Sequence, residues 1–261
     1  IAKLRAARRL WARVLELSGV PDDAPVAQRQ HAVTSRPMMS RYDPYVNMLR
    51  TTVAAFAAGV GGADAVTVLP FDSPLGRPET LGRRIARNTS ALLVSESHLA
   101  RVADPAGGSY AVERLTADLA AASWAVLGDL ESGADLDAAI AEVVAVRDQQ
   151  VATRARPLTG LTEFPQVAEE QLERTPDGAF DHVRSYGAAF EALRDDPPAR
   201  RVFLATMGIV ASHTARATFA SNLFAAGGVG VDVAGATDGP DALVAAYDGQ
   251  PVVCLAGADP T

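Results

Sequence analysis

The sequence predicts an α/β fold with parallel strands. Three observations carry that expectation. Short apolar runs alternate with stretches of three-to-four-residue periodicity, the pattern of strands joined by helical crossovers. Glycine and proline pairs stand where one period gives way to the other, as at Gly61-Gly62 and Pro197-Pro198. Beyond the double proline a strand–helix–strand–helix–strand series runs nearly to the last residue, the start of an open doubly wound sheet.

Along the chain, Leu4, Ala7, Trp11, Val14 and Leu15 recur at helical spacing, and Ser18-Gly19-Val20-Pro21 stops that helix. No capping residue precedes it, so upstream sequence is expected. A short strand is expected within 26–34. Asp43-Pro44 offers an N-cap and a first-turn proline to a second helix, with Tyr45, Leu49, Thr52 and Phe56 as its apolar face. Gly61-Gly62 ends that helix, and 65–69 reads as a buried strand. Leu81, Ile85, Leu92 and Leu93 mark a third helix, followed by an extended piece at 99–102. Asp104-Pro105-Ala106-Gly107-Gly108 is a turn built for shape by fixed and permissive φ. Leu115, Leu119, Ala122 and Val126 continue as a helix. From 134 to 198 helical stretches and polar turns dominate, and this segment reads as a connector between domains at 1–133 and 199–261. The last domain should hold strands at 202–206, 229–233 and 252–256, with helices at about 215–225 and near Leu243. An open doubly wound sheet usually has more strands, so further sequence is expected there too.

Composition narrows the function. The 261 residues are 48% hydrophobic and 21% charged, which suits a folded domain. A net charge of −7 argues against nucleic acid or an anionic membrane as partner. Arg5, Arg8, Arg9 and Arg13 read as a solvated helix face. The single cysteine, Cys254, lies in an apolar run and suits a reducing cytoplasm, and four scattered histidines supply no zinc-type cluster. No apolar stretch is long enough to span a membrane.

Five segments, in this order and spacing, carry a resemblance over roughly 1–235. They are 1–13, Tyr42-Asp43-Pro44-Tyr45 through Arg50-Thr51-Thr52, 84–89 (Arg-Ile-Ala-Arg-Asn-Thr), Asp104-Pro105-Ala106-Gly107-Gly108-Ser109-Tyr110 with Glu113, and 158–165 (Leu-Thr-Gly-Leu-Thr-Glu-Phe-Pro). Together they resemble the methylmalonyl-CoA mutase family. The resemblance implies that 1–133 is the later part of a (β/α)8 TIM-type barrel and 134–198 a helical linker. It also implies that 199–261 begins a flavodoxin-like, Rossmann-like cobalamin-type domain. The reaction implied is the radical interconversion of (R)-methylmalonyl-CoA and succinyl-CoA with adenosylcobalamin.

The family's catalytic chain carries Asp-x-His-x-x-Gly after the first strand of the cobalamin domain, the imidazole serving as cobalt ligand. Here Val210 stands where the Asp belongs and Ser212 where the His belongs. A register shifted onto His213 would need Asp at Ala211 and Gly at Arg216, so His213 reads as a partly exposed helix-start residue. In the barrel, the family's Arg-x-His-x-Gln-Thr-Ser-Gly becomes Arg29-Gln30-His31-Ala32-Val33-Thr34-Ser35-Arg36. Leu-His-Thr-Asn becomes Val66-Thr67-Val68-Leu69, and Asp-Glu-Ala becomes Asp72-Ser73-Pro74. His31, Val33, Ser35, Arg36, Thr67 and Asp72 are therefore expected to be the remains of a pocket, His31 as a hydrogen-bonded remnant and Asp72 as a helix cap. Arg36 should plug the vacated space, paired with Asp72 or a strand carbonyl.

A framework kept while site polar groups are lost resembles the small subunit of the family's heterodimers, which shares the fold without binding the cofactor. It would have no catalytic residue and no bound cofactor, and its partner would be a large catalytic subunit holding adenosylcobalamin. Three alternatives stay open: an active mutase with a degenerate cobalamin motif, a barrel enzyme with an unrelated small-molecule domain, and a scaffold protein without a mutase partner.

Overall fold

A computed structural model of the chain describes residues 1–21, 23, 24, 27–237 and 239–258. Two compact units emerge, each assembled from separated stretches. The first comprises Ile1–Met39, Asn47–Ala145 and Arg174–Val183, the second Ser40–Val46, Val146–Glu173 and Arg184–Thr261.

In the first unit, strands β1 (His31–Val33) and β2 (Ala65–Thr67) pair in parallel, His31 opposite Ala65 and Val33 opposite Thr67. Val26, within the span expected to hold β1, lies outside the described residues. Helix α2 (Val46–Val60) makes the crossover between the strands, the connection a parallel pair requires. Ala55 of α2, Val68 and Ala86 of α3 (Thr80–Ser95) form a small core, with Val66 and Leu93 packed against it. Helix α1 (Ala2–Leu17) packs along α4 (Tyr110–Glu131). Arg5 joins them, reaching Glu113 in the first turn of α4 at 2.7 Å and Asp104 at 3.0 Å. The turn at 104–108 is thereby tied between two helices. Helix α5 (Leu136–Ala152) follows α4.

Several expectations need correction here. The buried residues of α2 are Asn47, Thr51, Ala55, Ala58 and Val60, whereas Tyr45, Leu49, Thr52 and Phe56 are exposed, Leu49 by 67%. Small side chains let the helix approach closely, and the Asn47 amide donates to the Phe71 carbonyl at 2.9 Å. Asp43 is not an N-cap: it sits at φ +46, and the helix begins three residues later. Ala65 and Thr67 are exposed rather than buried, because among the described residues β2 pairs only with β1. Residues 99–102 are not extended but close a turn, the Arg101 amide donating to the His98 carbonyl.

The second unit contains helix α6 (Ala188–Asp195) and a parallel three-stranded sheet in the order β4-β3-β5. Strand β3 (Val202–Thr206) is central and buried at every position, as a strand covered on both faces must be. Helix α7 (Val210–Ala226) leads from it to β4 (Val231–Val233), and α8 (Pro240–Ala245) leads to β5 (Val252–Ala256) on the other side. The strand–helix series read from the sequence is present, with α7 starting five residues earlier than expected. Gly208, at φ +82, turns the chain straight from strand into helix.

Candidate functional site

The sequence places its candidates at the carboxyl ends of parallel strands, where α/β folds build sites. His31, the first residue of β1, and Thr67, the last of β2, are joined diagonally, the His31 Nε2 and Thr67 Oγ1 lying 2.8 Å apart, a hydrogen bond between two of the expected remnants. Thr34 is buried, and its hydroxyl accepts from the Leu69 amide at 2.9 Å. Ser35 precedes a 3-10 turn, Arg36–Met38. Val33 is 52% exposed and Thr67 is exposed, so these side chains do not fill the space beside them. Among the described residues β1 and β2 have no further strand beside them, which leaves their outer edges unpaired.

Arg36 and Asp72 do not pair with each other. The Arg36 guanidinium donates to the Ala179 carbonyl at 3.0 Å and lies 5.4 Å over the Phe180 ring. Asp72 is fully buried, and its Oδ2 receives Arg174 Nε at 2.8 Å and the Glu79 amide at 3.1 Å. Glu79 holds the N-cap position of α3, so Asp72 does help to cap that helix. The remaining oxygen, Oδ1, has no hydrogen-bond partner and is packed against Gly82. With one oxygen taken by Arg174 and the other sealed under α3, no side of this carboxylate is open to Arg36.

In the second unit the strand order reverses at β3, so the crevice outside its carboxyl end is the topological switch point. It measures about 690 Å³ and is lined mainly by apolar groups, among them Met207, Ile209, Val210 and Leu243. Val210 opens α7. The Ser212 hydroxyl is turned back onto the Ile209 carbonyl at 2.7 Å. His213 is buried rather than partly exposed, on the helix that packs against β3 and β5, and its Nδ1 has no hydrogen-bond partner. Among the described lining residues there is no imidazole. A corrin requiring an axial nitrogen ligand does not fit the groups present. No set of three His, Cys, Asp or Glu side chains suited to a metal ion occurs among the described residues. Nor is any described helix long and apolar enough to cross a membrane.

Sequence reasoning missed the densest polar cluster. Arg194 has a buried side chain, lies 4.1 Å over the Tyr42 ring, donates to the Gln166 carbonyl at 2.7 Å and sits 3.6 Å from Glu169. Both Glu169 oxygens accept the Asp43 amide at 2.8 Å. Glu191, also buried, accepts the Arg41 amide at 2.8 Å. Asp195 takes Arg41 at 2.7 Å and the Tyr42 hydroxyl at 2.9 Å. Gly160 at φ +82 lets Asp43 come close, since a Cβ there would lie 2.7 Å from its carboxylate. The Tyr42-Asp43-Pro44 and Leu158-Thr159-Gly160 motifs were the available signal; their meeting point was not.

Charge in this cluster is unevenly balanced. Burial pushes the Glu169 carboxyl up despite the Asp43 amide and Arg194, the latter too distant to compensate. The Arg41 hydrogen bond holds Asp195 below the usual carboxylate range. Because the folded value of Asp195 is the lower one, its stabilisation is present above the ordinary aspartate range. It is lost as pH falls through the folded value. Asp195→Asn is expected to flatten the acid limb of stability below about pH 4. The half-exposed pair should contribute less than about 1 kcal/mol at neutral pH. Urea midpoints measured across that range check this; an unchanged limb would show that Asp195 has no part in it.

Comparison with known proteins gives a consistent result. The family model described as methylmalonyl-CoA mutase matches residues 1–202. The methylmalonyl-CoA mutase small subunit of Streptomyces virginiae is 53% identical, over 99% of this chain and 46% of that protein. The probable small subunit of Mycobacterium tuberculosis is 48% identical, over 88% of this chain and 40% of that protein. The mitochondrial methylmalonyl-CoA mutase of Bos taurus is 38% identical over 67% of this chain and 24% of that protein. The chain thus spans under half the length of these relatives. With its motifs, its parallel strands and these likenesses agreeing, the chain belongs to the methylmalonyl-CoA mutase family, alongside members named as its small subunit.

Proposed function

We infer that this chain is part of the non-catalytic small subunit of a heterodimeric methylmalonyl-CoA mutase. The observation that carries this reading is the state of residues 210–213, where a valine, a serine hydroxyl bonded to the Ile209 carbonyl and a buried histidine stand in place of an exposed cobalt ligand. In this reading 1–133 is the later part of a (β/α)8 barrel, 134–198 a helical linker, and 199–261 the start of a flavodoxin-like domain. The fall of α6 at Asp195 and the rise of β3 at Val202 around the double proline support the last boundary. The chain's role is to pair with and stabilise a large cytoplasmic subunit that binds adenosylcobalamin and performs the isomerisation.

The test is a titration of the protein with adenosylcobalamin, followed by the corrin spectrum. No change is expected at micromolar concentrations of both. Stoichiometric binding with a histidine-ligated spectrum that His213→Ala abolishes would sink the proposal and favour an active mutase with a degenerate motif.

A further inference from the structure

Arg36, expected to plug a vacated pocket, and Asp72, its expected partner, are each held by an ionic or cation–ring contact from one other segment. Arg174–Val183 belongs to the first unit although it is separated in sequence from the rest of it. Its first residue, Arg174, pairs with the fully buried Asp72 and reaches Glu79 at 3.7 Å. The next, Thr175, accepts the Arg77 amide through its carbonyl at 2.7 Å. Further on, Ala179 and Phe180 receive the guanidinium of Arg36. The approach at Thr175 is very close: a Cβ on Gly76, which sits at φ +137, would lie 2.5 Å from that carbonyl oxygen. Only glycine leaves room there.

The positions contacted share one property. Arg36 lies three residues beyond the end of β1, and Asp72, Gly76 and Arg77 lie in the stretch that follows β2. Since β1 and β2 are parallel, both stretches lie at the same, carboxyl, end of the sheet. That is the end at which parallel α/β sheets meet their ligands.

We propose that Arg174–Val183 is a strap with which the chain closes the carboxyl end of its own β1–β2 sheet. The strap is latched at one end by the Arg174–Asp72 pair and at the other by Arg36 on Ala179 and Phe180. The latches differ in kind. Asp72 and Arg174 are a buried ion pair, fixed as the fold forms, whereas Arg36 is only partly buried and holds a backbone carbonyl and a ring face, contacts that can open without unfolding the core. The strap rests on the non-catalytic reading, since a closed strand end suits a chain that takes no ligand there.

Hydrogen–deuterium exchange of the whole protein tests it. Arg36→Gly removes the outer latch without touching the core and should raise exchange across 177–183 about tenfold, the loss of one charge-assisted hydrogen bond. Gly76→Ala should push the Thr175 carbonyl away and raise exchange of the Arg77 amide by a similar factor. Amides of α4, remote from both substitutions in sequence, should exchange as before. Unchanged exchange in both variants, or equal acceleration throughout the first unit, overturns the strap. Neither readout involves a corrin, so its failure leaves the cobalamin titration to decide the non-catalytic reading separately.

Discussion

Gly82→Ala is expected to destabilise the protein by about 3 kcal/mol, against the sign that residue exchange has in an ordinary helix, where it stabilises by about 1 kcal/mol. Gly82 lies in the first turn of α3, directly over Asp72, and a Cβ there would stand 2.0 Å from Asp72 Oδ1. Asp72 cannot retreat. It is fully buried, its other oxygen holds Arg174 and the Glu79 amide, and moving it would break a desolvated ion pair. Either the helix lifts or the pair separates. Urea denaturation of the variant measures the cost, and a midpoint at or above that of the unaltered protein would show that Asp72 is free to move. Asp72→Ser in the same background removes the clash but leaves Arg174 without its carboxylate, so the double variant should stay destabilised while the two costs fail to add.

Arg194→Met is expected to cost about 3–5 kcal/mol, the range for stripping one partner from a buried charge pair. The guanidinium satisfies the Gln166 carbonyl, covers the Tyr42 ring and faces Glu169. Methionine matches much of its volume but none of its donors. Glu169, already pushed upward by burial, would lose its only nearby cation among the described residues and should take up a proton closer to neutrality. Adding Glu169→Gln should therefore restore part of the stability. If the single and double variants unfold at the same urea concentration, the two side chains are not coupled.

Much of the architecture was legible in the sequence because it rests on local rules. Periodicity placed α1, α3 and α4, and the run after Pro197-Pro198 placed β3, α7, β4, α8 and β5. What failed depended on partners distant in sequence. Asp43-Pro44 has the composition of a helix start, but Glu169 captures the Asp43 amide and draws the chain away from the capping geometry. The large apolar residues of α2 look like a core face by hydrophobicity alone. The helix buries Asn47, Thr51, Ala55, Ala58 and, at its end, Val60 instead, because close approach along most of its length rewards small side chains and Asn47 finds the Phe71 carbonyl. Among the site residues, a hydrogen-bonded His31 and an Asp72 that helps to cap a helix followed from residue type; that Thr67 is the partner of His31 did not. The partner of Arg36 did not, because the segment that supplies it is about 140 residues away and has no motif.

The placement of Ser40–Val46 within the second unit also bears on how the chain is made. The partner of the Asp43 amide, Glu169, follows it by 126 residues. At a synthesis rate of about 5–20 residues per second, that separation corresponds to roughly 6–25 seconds between the emergence of the two groups from the ribosome. During that interval β1, α2 and β2 can already pair and pack, since all three precede Glu169. The seven residues that interrupt them must wait as an unanchored loop, with Arg41, Tyr42 and Asp43 hydrated until 169–195 has been translated. The second unit is therefore begun early in translation and closed late, and its completion depends on a loop left open by the first.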